Sequence, residues 1–289
     1  MRYFQLRSEH RDPALVVEEK NELHNLTSAH ADLTNFTELA RTASISKESI
    51  DDIARRYIDN TETVSEQALQ HATEPIQAAE VWAAGVTYEI SEKARKSESS
   101  MSEIYINVYD AERPELFFKS TPSRTVGPNE AVGIRKDSSW NVPEPEVGVV
   151  MFRGEIIGYT IGNDMSSREI EGENPLYLPQ AKIFDRCCSI GPCIVTPEGI
   201  EDPRNLTMSM EIRREDDTIF SDSTSTKEMV RSYEELASYF TAHNSVPEVT
   251  VLLTGTSLVP PDEFTLQADD TIQISVEEIG TLENTVVTV

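Results

Sequence analysis

Residues 146 to 164 read EVGVVMFRGEIIGYTIGND, two short apolar runs on either side of Arg153-Gly154. Short apolar runs that meet at a glycine-containing turn predict a β-hairpin, and here one whose first strand starts out buried. The surrounding chain agrees. From Arg113 onward, apolar runs alternate with turn residues, and GPCIVT, LTMSMEI, VTVLLTG, TIQISVEE and TVVTV are further strand candidates. One exception is STKEMVRSYEELASYF, where Met229, Tyr233, Leu236 and Phe240 fall at helical spacing and read as a core-facing stripe.

Upstream the texture differs. Up to about residue 75 the chain is polar, helix-leaning and rich in Glu, Asp, Thr and Ala, as in KESIDDIARRYIDN. His10, His24, His30 and His71 are scattered through it without metal-ligand spacing and read as solvated surface histidines. EPIQAAEVWAAGVTYEI then carries a strand ending near Gly85, and a polar helical segment is expected through Met101. The expected division is a small N-terminal domain over 1–75 and a larger β-rich domain over 76–289, in a mixed α+β, β-rich fold class.

Composition narrows the partners. A formal net charge of -26, with 51 acidic against 25 basic residues, repels nucleic acid and anionic membrane. The acids are dispersed along the chain and lysine is sparse. That pattern suits a cytoplasmic protein of a halophile, kept soluble where concentrated salt screens its self-repulsion. MRYFQLRSEH lacks the apolar core of a signal peptide, and no apolar run approaches the ~20 residues of a membrane span. Cys187, Cys188 and Cys193 are a poor disulfide framework and read as reduced core thiols.

The chain has no GxGxxG, P-loop, GxSxG or HExxH motif, and His243 is the one histidine of its β-rich part. What remains is carboxylate chemistry. In EPEVGVV, Glu144 and Glu146 stand two residues apart at the entry to a strand, so they share a face and repel. Water, an arginine, a shared proton or a divalent cation can each relieve that repulsion. Glu115 precedes the apolar run of RPELFFKS, and Asp164 ends a strand just before a helix start, as a ligand or as an N-cap. Four acids at strand ends are an oxygen-rich set suited to a hard cation.

EPEVGVV, GYTIGNDMSSREIE, NPLYLPQAKIFDRCCSIGP and VLLTGT occur in one order over roughly residues 76 to 289. Together they resemble the fumarylacetoacetate hydrolase superfamily, with its E-x-E pair, its D-x-S-A-R-like segment, its lysine segment and its L-x-T-G-T turn. RPELFFKSTPSR, SSWNVPEPE and ENPLYLPQAKIFDRCC resemble in particular the archaeal 2-keto-3-deoxy-pentonate dehydratases.

The resemblance implies a β-roll core of the fumarylacetoacetate hydrolase C-terminal type, led by a small N-terminal α/β domain. It implies that Glu115, Glu144, Glu146 and Asp164 hold Mg²⁺, with Mn²⁺ or Ca²⁺ as substitutes. Lys182 would face a small 2-keto sugar acid and transfer protons with a lowered pKa, Lys119 and Glu89 being further catalytic candidates. Thr256, Gly255 and Tyr88 would contact the substrate, and Arg168 would brace Asp164 or the neighbouring helix. A homo-oligomer, dimeric or tetrameric, is the habit of the family. In TYEISEKARK, Ser91 stands where hydrolytic members carry a histidine, which favours dehydration over C–C hydrolysis. The alternatives are an acylpyruvate hydrolase or oxaloacetate decarboxylase of the same superfamily, and a non-catalytic relative that binds sugar acids or cations.

Overall fold

The computed structural model describes residues 1–8, 11–88, 108 and 111–289. The predicted hairpin lies in the middle of the main sheet. Pro145–Phe152 pairs antiparallel with Glu155–Asp164, and at the turn Arg153 and Gly154 both take positive φ, 51° and 87°. Two positive φ values match the primed turns whose twist suits a hairpin. Val249–Leu253 pairs with the other edge of Pro145–Phe152. All eight residues of Pro145–Phe152 are buried, which is why this strand reads as a continuous apolar run rather than an alternation.

Among the described residues, eleven strands form this sheet. From one edge they run Glu62–Val64, Glu22–Asn25, Arg11–Glu19, Arg2–Ser8, Cys188–Val195, Glu155–Asp164, Pro145–Phe152, Val249–Leu253, Glu80–Gly85 and Glu115–Ser120. Thr125–Val126 lies parallel beside Cys188–Val195. A second sheet orders Asp217–Ser225, Thr207–Arg214, Thr271–Val276, Gly280–Thr288 and Ala131–Ile134. Its strands alternate: Met208, Met210 and Ile212 are buried, and so are Ile272, Ile274 and Val276, while the residues between them are more open. A short pair, Ser166–Ser167 with Asn141–Val142, closes the region around the hairpin's far end. The β-rich reading and each strand candidate of the sequence hold.

The N-terminal part is less helical than its composition predicts. Arg2–Ser8, Arg11–Glu19 and Glu22–Asn25 are strands, and Tyr3 pairs with Ile194 to continue the main sheet. Helices Phe36–Ser46 and Ile50–Ile58 follow, capped by the side chains of Asn35 and Ser49. His24 is not the solvated residue expected: it is buried, with Nδ1 3.1 Å from Thr61 Oγ1. The stripe of Met229, Tyr233, Leu236 and Phe240 is buried as predicted, the last three on helix Tyr233–Thr241. The three cysteines are free and buried, and burial pushes the Cys193 thiol up to about 12. Among the described residues no helix is long and apolar enough to cross a membrane. The polar segment expected after Gly85 lies largely outside the described residues.

Register brings the acids together. Pro145 faces Asn163 and Glu146 faces Gly162, so the start of one strand meets the end of its partner, and the Asp164 amide donates to the Glu144 carbonyl at 2.9 Å. At Gly162 a Cβ would sit 2.3 Å from Leu253 Cδ2, so a glycine there lets the strand leading to the TGT turn lie close. Lys182 arrives from another direction, as the last residue of helix Leu178–Lys182.

Candidate active site

Glu144, Glu146 and Asp164 are all buried, and each offers an oxygen within 4.8 Å of the others'. Three carboxylates this close are held by cations and donors around them. Lys182 Nζ lies between two of them and donates to Glu144 Oε2 at 2.5 Å, Asp164 Oδ2 at 3.0 Å and Ser166 Oγ at 2.6 Å. Arg168, expected to brace Asp164 or the neighbouring helix, pairs with Glu144 Oε1 at 2.8 Å. Lys119 pairs with Asp164 Oδ1 at 2.5 Å. Glu146 accepts from the Gly255 amide at 2.5 Å.

These partners divide the charge unequally. Burial works to raise the Glu144 pKa, but Lys182 and Arg168 outweigh it and hold the carboxyl at about 2. Among the described residues no cation touches Glu146, and burial, with Asp164 and Glu144 close by, pushes it well above the usual range. For Lys182, burial alone would lower the pKa, as the sequence reading expected. Asp164, Glu144 and Glu171 together reverse that and hold the ammonium well above its ordinary value. The expectation of a partly neutral lysine therefore fails in this geometry: two carboxylates in direct contact favour the proton more than desolvation opposes it.

Glu115 is not one of the three. It begins strand Glu115–Ser120 opposite Gly85, where a Cβ would meet its Oε2 at 2.0 Å, so its side chain lies across that glycine. Burial raises its pKa, against the pull of Lys182. Asp164 is no helix cap either. The cap of helix Arg168–Glu173 is Ser167, whose Oγ accepts from the Ile170 amide at 3.3 Å.

The predicted substrate contacts are placed variously. Gly255 has φ +83° and its amide is engaged by Glu146. Thr256 Oγ1 accepts from the Leu258 amide at 3.0 Å, which leaves its hydroxyl hydrogen able to donate elsewhere. Tyr88 is buried, its Oη has no hydrogen-bond partner among the described residues, and its phenol is raised mainly by burial, then by Tyr233 and Glu146. Glu89 and Ser91 lie outside the described residues.

Sequence reasoning missed Ser166, Asn163 and Glu171. Ser166 stands two residues beyond Asp164, and the same alternation that paired Glu144 with Glu146 would have found it. Asn163 Oδ1 accepts from the Glu144 amide at 3.2 Å, and Glu171 reaches Lys182 and Glu115 through its charge. Neither had a signal in the sequence.

An all-oxygen donor set, buried and short of positive charge at Glu146, fits a hard divalent cation. The class defined by fold and site is thus a β-rich enzyme-like scaffold with a cation centre and a lysine at its edge. Residues 80–287 match the family described as fumarylacetoacetate (FAA) hydrolase C-terminal, and the chain belongs to that family. It is 61% identical over 267 residues to a probable 2-keto-3-deoxyxylonate dehydratase of Haloferax volcanii, covering 92% of each chain. It is 45% identical over 216 residues to a 2-dehydro-3-deoxy-D-arabinonate dehydratase of Saccharolobus solfataricus, covering 73% of this chain and 72% of that one. A solved structure of 2-keto-3-deoxy-D-arabinonate dehydratase complexed with magnesium and 2,5-dioxopentanoate superposes with a TM-score of 0.84 at 34% identity, over 100% of this chain and 99% of that one.

Proposed function

We propose that this chain is a hydro-lyase that converts a 2-keto-3-deoxy-D-pentonate to 2,5-dioxopentanoate and water. The observation that carries the reading is the buried trio of Glu144, Glu146 and Asp164 with Lys182 Nζ set between two of its members. Glu144, Glu146 and Asp164 would hold the cation, proposed as Mg²⁺ with Mn²⁺ or Ca²⁺ as substitutes. When bound, it supplies the Lewis acidity that polarises a 2-keto oxygen and acidifies the C3 protons.

A base takes a proton from C3, and the C4 hydroxyl leaves as water with a proton supplied by an acid. The C3=C4 enone then loses a proton from C5 and regains one at C3 from that base, which moves the double bond to C4=C5, and the enol so formed is a tautomer of the C5 aldehyde. Nothing is oxidised or reduced overall. Lys182 is assigned to proton transfer. In the protonated state its carboxylate neighbours favour, it delivers a proton to the C4 hydroxyl oxygen as that group departs. The amine left behind then accepts the C5 proton during the double-bond shift. The Thr256 hydroxyl donates to the carboxylate of the keto acid, and Tyr88 Oη offers a second donor at the buried side.

The test is an assay on 2-keto-3-deoxy-D-pentonate in concentrated KCl with Mg²⁺, repeated with EDTA. Release of 2,5-dioxopentanoate that EDTA abolishes is expected. No product with Mg²⁺ present, or pyruvate and glycolaldehyde in its place, overturns the reading.

A further inference from the structure

Two lysines meet at Asp164, one on each carboxylate oxygen: Lys119 on Oδ1 at 2.5 Å and Lys182 on Oδ2 at 3.0 Å. Their surroundings differ in kind. All three acceptors of Lys182 Nζ are side chains, two of them carboxylates of the trio. Among the described residues, Lys119 Nζ instead donates to main-chain carbonyls, of Met165 at 2.8 Å and of Lys182 at 2.5 Å, and meets Asp164 Oδ1 as an ion pair. An ammonium has three hydrogens. Two of those of Lys119 go to main-chain groups that side-chain rotation cannot remove, and the residue is fully buried.

We propose that Lys119 is a positioning residue: a fixed internal cation that turns Asp164 Oδ1 away from the cation centre and clamps the backbone of Lys182. It does not itself touch substrate or exchange a proton in turnover. This rests on reading the trio as a cation site. The clamp joins three elements that are remote in sequence, namely strand Glu115–Ser120, the end of strand Glu155–Asp164 and helix Leu178–Lys182. With Oδ1 engaged, Oδ2 is left on the Glu144 side, where Lys182 bridges the two carboxylates. The Phe184 ring, 5.6 Å from Lys119 Nζ, adds a cation–π contact. Lys119 thus sets both the aim of a ligand carboxylate and the origin of the proton-transfer side chain.

The experiment compares wild type, Lys119→Gln and Lys119→Met in concentrated KCl by Mg²⁺ titration calorimetry and by pH profiles of kcat and kcat/KM. Wild-type Mg²⁺ binding tests the reading beneath the proposal, and the variants test the proposal. Loss of a partner that orients a ligand weakens metal binding by about 10- to 100-fold. Both variants are expected to show that loss, with Lys119→Gln the milder because its amide still donates. At saturating Mg²⁺ the limbs of the pH profile should keep their wild-type positions. Unchanged Mg²⁺ affinity together with a lost limb or a collapsed kcat overturns the proposal, because that is the signature of a proton-transfer group. Should both variants fail to fold, reductive methylation of the wild-type holoenzyme decides. Lys119 is expected to resist the reagent with and without a 2-keto acid bound, and its modification in the native protein overturns the clamp.

Discussion

Replacing Gly255 with alanine tests how Glu146 is held, because three constraints meet at that residue. Its φ is +83°, and its amide is the hydrogen-bond donor to Glu146 Oε2. An added Cβ would fall 2.2 Å from Thr87 Oγ1 and 2.9 Å from the Ala84 carbonyl oxygen. Thr87 cannot simply rotate clear without loss, since its hydroxyl donates to the Thr254 carbonyl at 2.6 Å in a buried setting. A side chain in the left-handed region costs about 1–2 kcal/mol. A displaced buried hydrogen bond costs about 1 kcal/mol more. The expected destabilisation of Gly255→Ala is therefore about 2–3 kcal/mol, read as a lower Tm in concentrated KCl. Moving the 255 amide also frees Glu146, so Mg²⁺ affinity should fall in calorimetry while Mg²⁺ still binds. A variant with wild-type Tm and wild-type Mg²⁺ affinity would refute the account of Gly255 as a backbone clamp on a ligand carboxylate.

Two further outcomes follow from the charges of the site. Lys182→Ala should lose about 10²–10⁴-fold in kcat, the usual contribution of a positioned proton-transfer group, while calorimetry finds Mg²⁺ binding no weaker than wild type. Full activity in that variant removes the assignment. Chelation should destabilise the protein more at about pH 8 than at about pH 6. Burial, with Asp164 and Glu144 close by, raises the folded-state pKa of Glu146. Such a group contributes stability at low pH that is lost as pH rises through the raised pKa. A cation offsets that loss, and EDTA restores it. Differential scanning calorimetry with and without EDTA at the two pH values checks the sign, and an equal or opposite Tm shift contradicts it.

Much of the fold was legible because local physics agreed with the final environment. The strand Pro145–Phe152 is apolar at nearly every position since the sheet covers both its faces, and that pattern survives in one dimension. The helix Tyr233–Thr241 was readable for the same reason, its apolar stripe matching its buried face. The opening strands were not. Leu15, Val16 and Val17 are consecutive and fully buried, yet they sit among charges, and their place comes from pairing with Arg2–Ser8, which in turn pairs with Cys188–Val195. His24 reads as a surface residue because nothing near it in sequence reports Thr61.

The amino-acid sequence by itself determined the chemistry on offer: carboxylates at strand ends, a rare lysine, a TGT turn, and no histidine or thiol arrangement to compete. The i, i+2 spacing of Glu144 and Glu146 put two of the carboxylates on one face without help from the rest of the chain. Only the tertiary structure decided which groups meet. It joined Asp164 to that pair, set Glu115 within the electrostatic reach of Lys182, Glu144 and Asp164, gave Arg168 to Glu144 and gave Asp164 a lysine on each oxygen. It also reversed the expected protonation of Lys182. The physical reason is range. Side-chain alternation acts over two residues, whereas a buried charge is set by whatever the fold packs within a few ångströms of it, and here those neighbours come from positions 119, 144, 164 and 182.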